Sequence, residues 1–373
     1  MTISVPDIRI PADLLPADGR FGSGPAKVRE EAVADLAAAP SFLGTSHRRP
    51  AVKAVVRNIR EGLADLFGLP ADYEVLLGNG GATAFWDAAA LGLIERKSQH
   101  LSFGVFSAKF AAAVAGAPHL EAPEIIVSEY GTHPLPIPSA GVDTYALTHN
   151  ETTTGVRMEI RRPDAPGLVV VDATSAAGAL RVDPAEFDVY YFSPQKAFGS
   201  DGGLWVAACS GAAVDRIERI GATDRYVPAF LSLEVALENS RQFQTYNTPA
   251  LATLFLLDHQ IEWIRSMGGL EWAASRADRN AAALYEWAGR SDFAFPFVGE
   301  PGDRSPVTAT IDFDPGVPAP VVASVLRANG IVDTESYRKL GRNQLRIGLW
   351  PAIETADVEA LTRSIDFVVE RLG

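Results

Sequence analysis

Cysteine is almost absent. Cys209 is the single thiol among 373 residues, which excludes an intrachain disulfide framework and any zinc site built from several thiolates. A reducing compartment, the cytoplasm, follows as the expectation, and no metal is called for. Long apolar stretches are missing too: no run of about 18 nearly uncharged apolar residues occurs, so no segment reads as a membrane-spanning helix. Basic charge is in deficit, with 33 Lys and Arg against 46 Asp and Glu and a formal net charge of -13. That balance argues against nucleic acid or an anionic membrane as partner. It is compatible with a small anionic ligand, because a local group of arginines can govern a cleft on an acidic protein. The first twenty residues lack the basic region and apolar stretch of a secretion signal. Pro6, Pro11 and Pro16 keep them out of a regular helix, so they read as an extended arm.

What is present centres on residues 168–203, LVVVDATSAAGALRVDPAEFDVYYFSPQKAFGSDGG. Two short apolar runs, 168–171 and 188–192, are bounded by polar and Gly/Pro-containing turns and read as buried parallel strands of an α/β core. Asp172 ends the first run and Lys196 follows the second. Parallel sheets gather ligand groups at that edge. An acid and a positioned lysine there suit pyridoxal phosphate: the carboxylate keeps the ring nitrogen protonated while the amine forms a Schiff base with the aldehyde. On these two residues alone, a turn-capping Asp172 and a solvated Lys196 stay open.

The flanking segments supply further candidates. FGSGPAKV, 21–28, has turn chemistry before a helix starting near Val28, and its glycines either admit a ligand or shape the bend. GTSHRRP, 44–50, groups Ser46, His47, Arg48 and Arg49, either as an anion site or as a solvated loop. EVLLG, GNGGAT and FWDAAALGLI form a strand, a glycine turn and a helix, so the backbone N–H groups of Gly80, Gly81, Ala82 and Thr83 can cradle a phosphate. Phe106 sits in a turn after a strand, to stack on a flat ring or to fill core. Thr152, after the strand in TYALTHNETTTG, either donates to a phenolic oxygen or closes an Asx-type turn. Cys209, in GLWVAACS, reads as a small hydrophobe rather than a nucleophile. Residues 225–250 carry Tyr226, Phe230, Phe243 and Tyr246 ahead of an Asn247-Thr248-Pro249 turn, as a loop that completes a neighbouring subunit's site or packs locally. Helices at about 250–267 and 270–289 lead to an α+β end with strands TATIDF and QLRIGLW. Arg338, Lys339, Arg342 and Arg346 make it basic, and Arg346 is either a carboxylate clamp or the partner of a structural acid.

FGSGPAKV, GTSHR, GNGGAT, HNET, VVVDATSAAG, SPQKAFG, TYNTP and LRIGLWP, in that order, resemble the phosphoserine aminotransferase family of the class V aminotransferase group, above all its actinobacterial form. The resemblance covers nearly the whole chain. It implies a fold-type I pyridoxal-phosphate-dependent transferase: α/β, with a mostly parallel seven-stranded central sheet and a smaller α+β C-terminal domain. Residues 1–20 would be the arm, packed on the small domain, 21–255 the large cofactor domain, and 256–373 the linking helices and small domain. The resemblance further implies a homodimer with sites at the subunit interface and one pyridoxal phosphate per subunit, held as an internal aldimine on Lys196. Asp172 would face the pyridine nitrogen, Thr152 the ring hydroxyl and Phe106 the ring face. Gly81, Ala82 and Gln195 would touch the cofactor, with Asn247 and Thr248 reaching its phosphate from the partner subunit. His47 and Arg48 would bind the substrate phosphate and Arg346 the α-carboxylate.

One departure stands out. The family's His-Arg pair before the clamp is replaced here by YRKLGRNQLR, 337–346, so Arg338, Lys339 and Arg342 are alternative phosphate contacts. The implied reaction passes an amino group from L-glutamate to 3-phosphohydroxypyruvate in serine biosynthesis. The four-carbon phosphorylated oxo acid of pyridoxine synthesis is an additional candidate substrate. An aminotransferase for alanine, serine or glyoxylate uses the same cofactor residues but makes less use of His47 and the basic cluster. Cysteine desulfurase chemistry is disfavoured because Cys209 lies in a strand segment and there is no other thiol, and a silent cofactor-binding scaffold would not need Lys196, Asp172 and Arg346 together.

Overall fold

The computed structural model describes residues 6–372. In chain order its first strands are β1 (Glu74–Asn79), β2 (Ser98–Ser102), β3 (Glu124–Val127), β4 (Thr144–Thr148), β5 (Asn150–Glu151), β6 (Val156–Arg157), β7 (Leu168–Asp172), β8 (Val189–Phe192) and β9 (Leu204–Cys209). β5 and β6 form a two-stranded ribbon, with Val156 of β6 also bridged to Arg304, and the remainder form a seven-stranded sheet in the order β1-β9-β8-β7-β4-β2-β3. Pairing is parallel from β8 through β7, β4 and β2 to β3, whereas β9 is antiparallel to both β8 and β1. The exception has a local cause. A parallel connection needs a crossover of roughly a dozen residues or more, usually helical. The link from Phe192 to Leu204 holds no helix, so the chain doubles back and carries Lys196 at the bend.

Side chains alternate across the sheet. Val169, Val171, Tyr190, Phe192 and Val206 face one core, which they share with the helices Pro50–Leu66 and Leu251–Met267. Leu168, Val170, Val189, Tyr191 and Ala207 face the other, shared with the helices Gly81–Gly92, Gly211–Gly221 and Leu233–Arg241. Each fully buried Val or Leu contributes about 1.5–3 kcal/mol, so the central strands are clamped from both faces.

A second, antiparallel sheet consists of β10 (Ala294–Pro296), β11 (Thr308–Phe313) and β12 (Gln344–Gly348). The helices Gly269–Arg290, Ala319–Ala328 and Thr355–Leu372 pack around it, and their apolar faces continue the first core. Residues 19–26 run between the two sheets. Val332 N–H donates to the Gly19 carbonyl at 2.8 Å, Gly348 N–H to that of Phe21 at 2.7 Å, and Trp350 Nε1 to that of Gly22 at 2.8 Å. At the other end, Ala26 N–H donates to the Gln195 carbonyl at 2.7 Å, beside Lys196.

Some elements depart from the periodicity reading. The first helix starts at Glu30 rather than near Val28, because Arg29 is extended (φ -68, ψ 138). Residues 225–250 hold the helix Leu233–Arg241, opened by the Ser232 hydroxyl accepting from Val235 N–H, and β9 is followed by Gly211–Gly221, opened likewise by Ser210. Both starts carry the serine cap that marks a helix N-terminus. In each case that cap was the missed signal.

Candidate active site

Five strand ends converge on one edge of the large sheet and enclose a cavity of about 420 Å3. Its walls include Gly80–Thr83 after β1, Phe106 beyond β2, Asn150 and Thr152 beyond β4, Asp172 at the end of β7, and Gln195 and Lys196 beyond β8. Such an edge, where helices begin and strands stop, is where open α/β sheets bind ligands.

Lys196 is buried, at 8% exposure, and its Nζ donates to the Ser23 carbonyl at 2.7 Å. Burial pushes the amine down to about 7; Arg346 adds to that push, while Glu151 and Asp172 oppose it. Near neutral pH a large fraction of the amine is therefore unprotonated and nucleophilic. Gly24 makes the approach feasible: it sits at φ +138, and a Cβ there would overlap Nζ, Cε and Cδ of Lys196. Only glycine combines that conformation with that clearance.

Asp172 is buried, and burial raises its pKa. The donors around it are neutral: Thr174 N–H at 2.9 Å, Trp86 Nε1 at 3.4 Å, and the Tyr191 hydroxyl, itself 2.9 Å from Trp86 Nε1. A buried carboxylate held only by neutral donors gains most from a cation placed against it.

Gly80 and Gly81 adopt φ +109 and +72, turning β1 into the helix Gly81–Gly92, whose first N–H groups open toward the cavity wall. Lys196 is the one Lys or Arg lining this cavity among the described residues. Opposite lies Phe106, with the Lys196 Nζ 6.0 Å from its ring centroid. The hydroxyl of Thr152 takes part in no hydrogen bond among the described residues, while its backbone carbonyl accepts from Arg346 Nη1 at 3.4 Å. Arg346 is half-buried on β12, stands 5.3 Å from the Tyr337 ring, and keeps a buried Nε without a partner.

Other sequence candidates lie elsewhere. His47, Arg48 and Thr248 line a separate cleft, with His47 Nδ1 and Thr248 Oγ1 3.2 Å apart and the buried His47 Nε2 unpaired. Asn247 reaches back toward the glycine turn, since Asn79 Nδ2 donates to its Oδ1 at 2.7 Å. Arg338 and Lys339 are exposed. Arg342 is held by Asp312 and lies 4.4 Å from the Phe297 ring, outside the cavity lining. A larger cleft of about 890 Å3 contains Arg157, Arg161 and Arg181, but these guanidinium groups already bind the Gly302 carbonyl, Glu159 and the Glu271/Asp278 pair. Volume therefore does not mark the site. Gly24 and Trp86 line the Lys196 cavity and Ser23 holds the amine; the glycine signature of FGSGP points toward the segment of Ser23 and Gly24, and no sequence signal marked Trp86.

The cavity suits pyridoxal phosphate on its donor set: a buried amine for the aldehyde, a buried carboxylate without a cation for the ring nitrogen, and a helix N-terminus for the phosphate. Its size lies within the range of about 300–1,000 Å3 usual for small-molecule sites.

Fold and site together define an aminotransferase of class V. The aminotransferase class-V family model matches residues 138–360. The fold is that of the phosphoserine aminotransferase structure from Cytophaga hutchinsonii, with a TM-score of 0.86 at 24% identity over 95% of this chain and 100% of that one. The Bacillus circulans subsp. alkalophilus phosphoserine aminotransferase gives 0.85 at 20% identity, covering 95% and 99%. More narrowly, the chain belongs to the phosphoserine aminotransferase family. It is 56% identical to the Corynebacterium glutamicum phosphoserine aminotransferase over 97% of both chains, and 55% identical to that of a Nocardioides species over 98% of this chain and 99% of the other.

Proposed function

We propose that the chain is a phosphoserine transaminase, moving an amino group between L-glutamate and 3-phosphohydroxypyruvate to give 2-oxoglutarate and O-phospho-L-serine. The observation that carries this reading is the buried Lys196 sharing a cavity with Asp172, in a chain more than half identical to phosphoserine aminotransferases along nearly its whole length.

Bound in the cavity, pyridoxal phosphate supplies an aldehyde that condenses with amines and a ring that accepts the electron pair of a breaking Cα–H bond. Asp172 holds a proton on the ring nitrogen, because a carboxylate beside a cation favours the charged form. The N–H groups of Gly81 and Ala82 receive the phosphate, Thr152 offers its hydroxyl to the ring oxygen, Phe106 covers the ring face, and Gln195 flanks Lys196. The Lys196 amine, a large fraction of it unprotonated near neutrality, takes and returns the substrate Cα proton. Arg346 grips the α-carboxylate with paired N–H donors and so fixes which Cα bond faces the ring.

A second copy completes each site. His47, Arg48 and Thr248 share a cleft separate from the cavity of their own chain, Asn247 lies between that cleft and the glycine turn, and exposed Leu43, Tyr226, Phe230 and Tyr246 supply apolar surface for an interface. In this homodimer His47 and Arg48 bind the substrate phosphate, and Asn247 and Thr248 bind that of the cofactor. Arg338 and Lys339 remain candidates for a further phosphate contact; Arg342, already paired with Asp312, is the weaker one. Residues 21–255 form the cofactor domain, and 256–373 with the arm 1–20 present Arg346. No helix among the described residues is long and apolar enough to cross a membrane.

The discriminating assay supplies glutamate with 3-phosphohydroxypyruvate, its four-carbon phosphorylated homologue, pyruvate or glyoxylate. Turnover of the first well above the last two supports the reading. A preference for pyruvate or glyoxylate replaces it with an alanine- or glyoxylate-type aminotransferase. Comparable rates on both phosphorylated acids add the pyridoxine-pathway activity.

A further inference from the structure

Glu151 is a fully buried carboxylate between two residues of the cavity wall. Its Oε2 accepts from Phe106 N–H at 3.1 Å, Ser107 N–H at 2.9 Å and the Ser107 hydroxyl at 3.0 Å. Its Oε1 accepts from Thr153 N–H at 3.2 Å and the Thr153 hydroxyl at 2.8 Å. The first group belongs to the opening turn of the helix Val105–Ala115, which displays Phe106. The second belongs to the turn after β5, which displays Thr152. One side chain thus joins two segments about 45 residues apart in sequence.

The surroundings are shaped for this carboxylate. A Cβ on Gly104 would overlap Glu151 Cγ and Cδ, so the helix start reaches the acid only because residue 104 is glycine. Five donors on two oxygens suit an acceptor-only, ionised carboxylate, since a protonated acid would turn one donor against another. A carboxylate at a helix N-terminus is also stabilised by the aligned backbone N–H groups. Burial raises the Glu151 pKa and the donors from Ser107 and Thr153 offset it only in part, so it is the five-donor geometry that favours the ionised form.

We propose that Glu151 is a positioning residue for the transamination: its ionised side chain fixes Phe106 and Thr152 relative to one another, and its charge offsets the positive charge that Lys196 and Arg346 bring into the same interior. The proposal rests on the reading of Phe106 and Thr152 as cofactor contacts. The charged groups facing Lys196 are Arg346 from β12, Glu151 from β5 and Asp172 from β7. Of the two acids, Asp172 is committed to the ring nitrogen, which leaves Glu151 to balance the lysine and the clamp. Glu151 likewise acts on Arg346. Without Glu151 the guanidinium of Arg346 and the protonated fraction of Lys196 would face Asp172 as the one remaining acid of this group, and the turn displaying Phe106 would lose three of its tethers.

The test is a cofactor titration of the cofactor-free protein followed by a pH titration of the visible absorbance of the loaded protein, on wild type and Glu151→Gln. Failure of wild type to acquire the absorbance would remove the cofactor reading itself, whatever Glu151 does. With wild type loaded, Glu151→Gln is expected to weaken pyridoxal phosphate about tenfold and to lower the spectral pH midpoint by about one unit, because losing a negative neighbour disfavours the protonated form. A weakened cofactor with an unmoved midpoint would reduce Glu151 to a structural tether and overturn the charge role. Unchanged affinity would overturn the positioning role. Should Glu151→Gln fail to fold, Thr153→Val removes one hydroxyl donor and keeps the charge. A roughly threefold rise in Kd supports the tether, and an unchanged Kd overturns it.

Discussion

The amine of Lys196 donates a 2.7 Å hydrogen bond to the backbone carbonyl of Ser23, so the residue assigned to the chemistry is held by a segment 173 positions away in sequence. That segment is itself tied to β12, the strand carrying Arg346, through Phe21, Gly22 and Trp350. Lys196 and the strand of Arg346 therefore share one mechanical support.

Gly24→Ala should be severely disruptive for a residue that contacts the lysine with backbone alone. The left-handed conformation costs about 1–2 kcal/mol for a side-chain-bearing residue, and the overlap with Lys196 adds to it. Thermal denaturation should show a clear loss of stability, together with loss of cofactor uptake. An Ala variant that binds cofactor normally would mean that the 22–25 segment does not crowd the amine.

The pH dependence follows from the burial of Lys196. An amine lowered from 10.5 to about 7 is largely unprotonated above pH 7 in the cofactor-free protein, where an ordinary lysine would still be charged. The rate of cofactor uptake should therefore rise through a midpoint near pH 7. The unfolded chain binds more protons than the folded one between roughly pH 7 and 10, so this group's contribution to stability increases with pH across that window and is absent below it. A midpoint near 10 would show an ordinary solvated lysine.

Asp172→Asn retains the size of the side chain and removes the charge. The expected loss in kcat is about 100- to 1,000-fold, the scale of deleting one preorganised electrostatic group. The variant should stay folded, since Thr174, Trp86 and Tyr191 are neutral partners. Near-wild-type turnover would mean that no cation forms against this carboxylate.

Arg48→Ala tests the separate cleft. Loss of a charge-assisted phosphate contact should raise KM for 3-phosphohydroxypyruvate by about tenfold or more, with little change for pyruvate. Equal effects on both would take Arg48 out of phosphate recognition, and with it the main reason for placing a partner's His47 and Arg48 at the cavity.

How much of this was legible follows from the range of each signal. Strand-ending Asp172, Lys196 after the next strand and the Gly80–Gly81 turn are local patterns, written within a few residues of one another. The parallel sheet is equally local in origin, read from short apolar runs separated by turns. The contact of Ser23 with Lys196, of Glu151 with Phe106 and of Thr248 with His47 spans 173, 45 and 201 positions, and no periodicity encodes such encounters. Arg342 illustrates the opposite difficulty: its charge reads as a phosphate contact, and its pairing with Asp312, 30 positions away on the neighbouring strand, is not written in the local sequence. The helix Leu233–Arg241 was hidden by a mixed aromatic stretch, although Ser232 announced its start.

The decisive measurement is the visible absorbance of purified wild-type protein and of Lys196→Ala after addition of pyridoxal phosphate, with circular dichroism as the check on folding. Wild type should develop the long-wavelength band of cofactor joined to an amine and lose it on adding glutamate, while a folded Lys196→Ala should develop no such band and lose nearly all turnover. A normal band in Lys196→Ala, or its absence from wild type, would mean that the cofactor's covalent partner lies elsewhere.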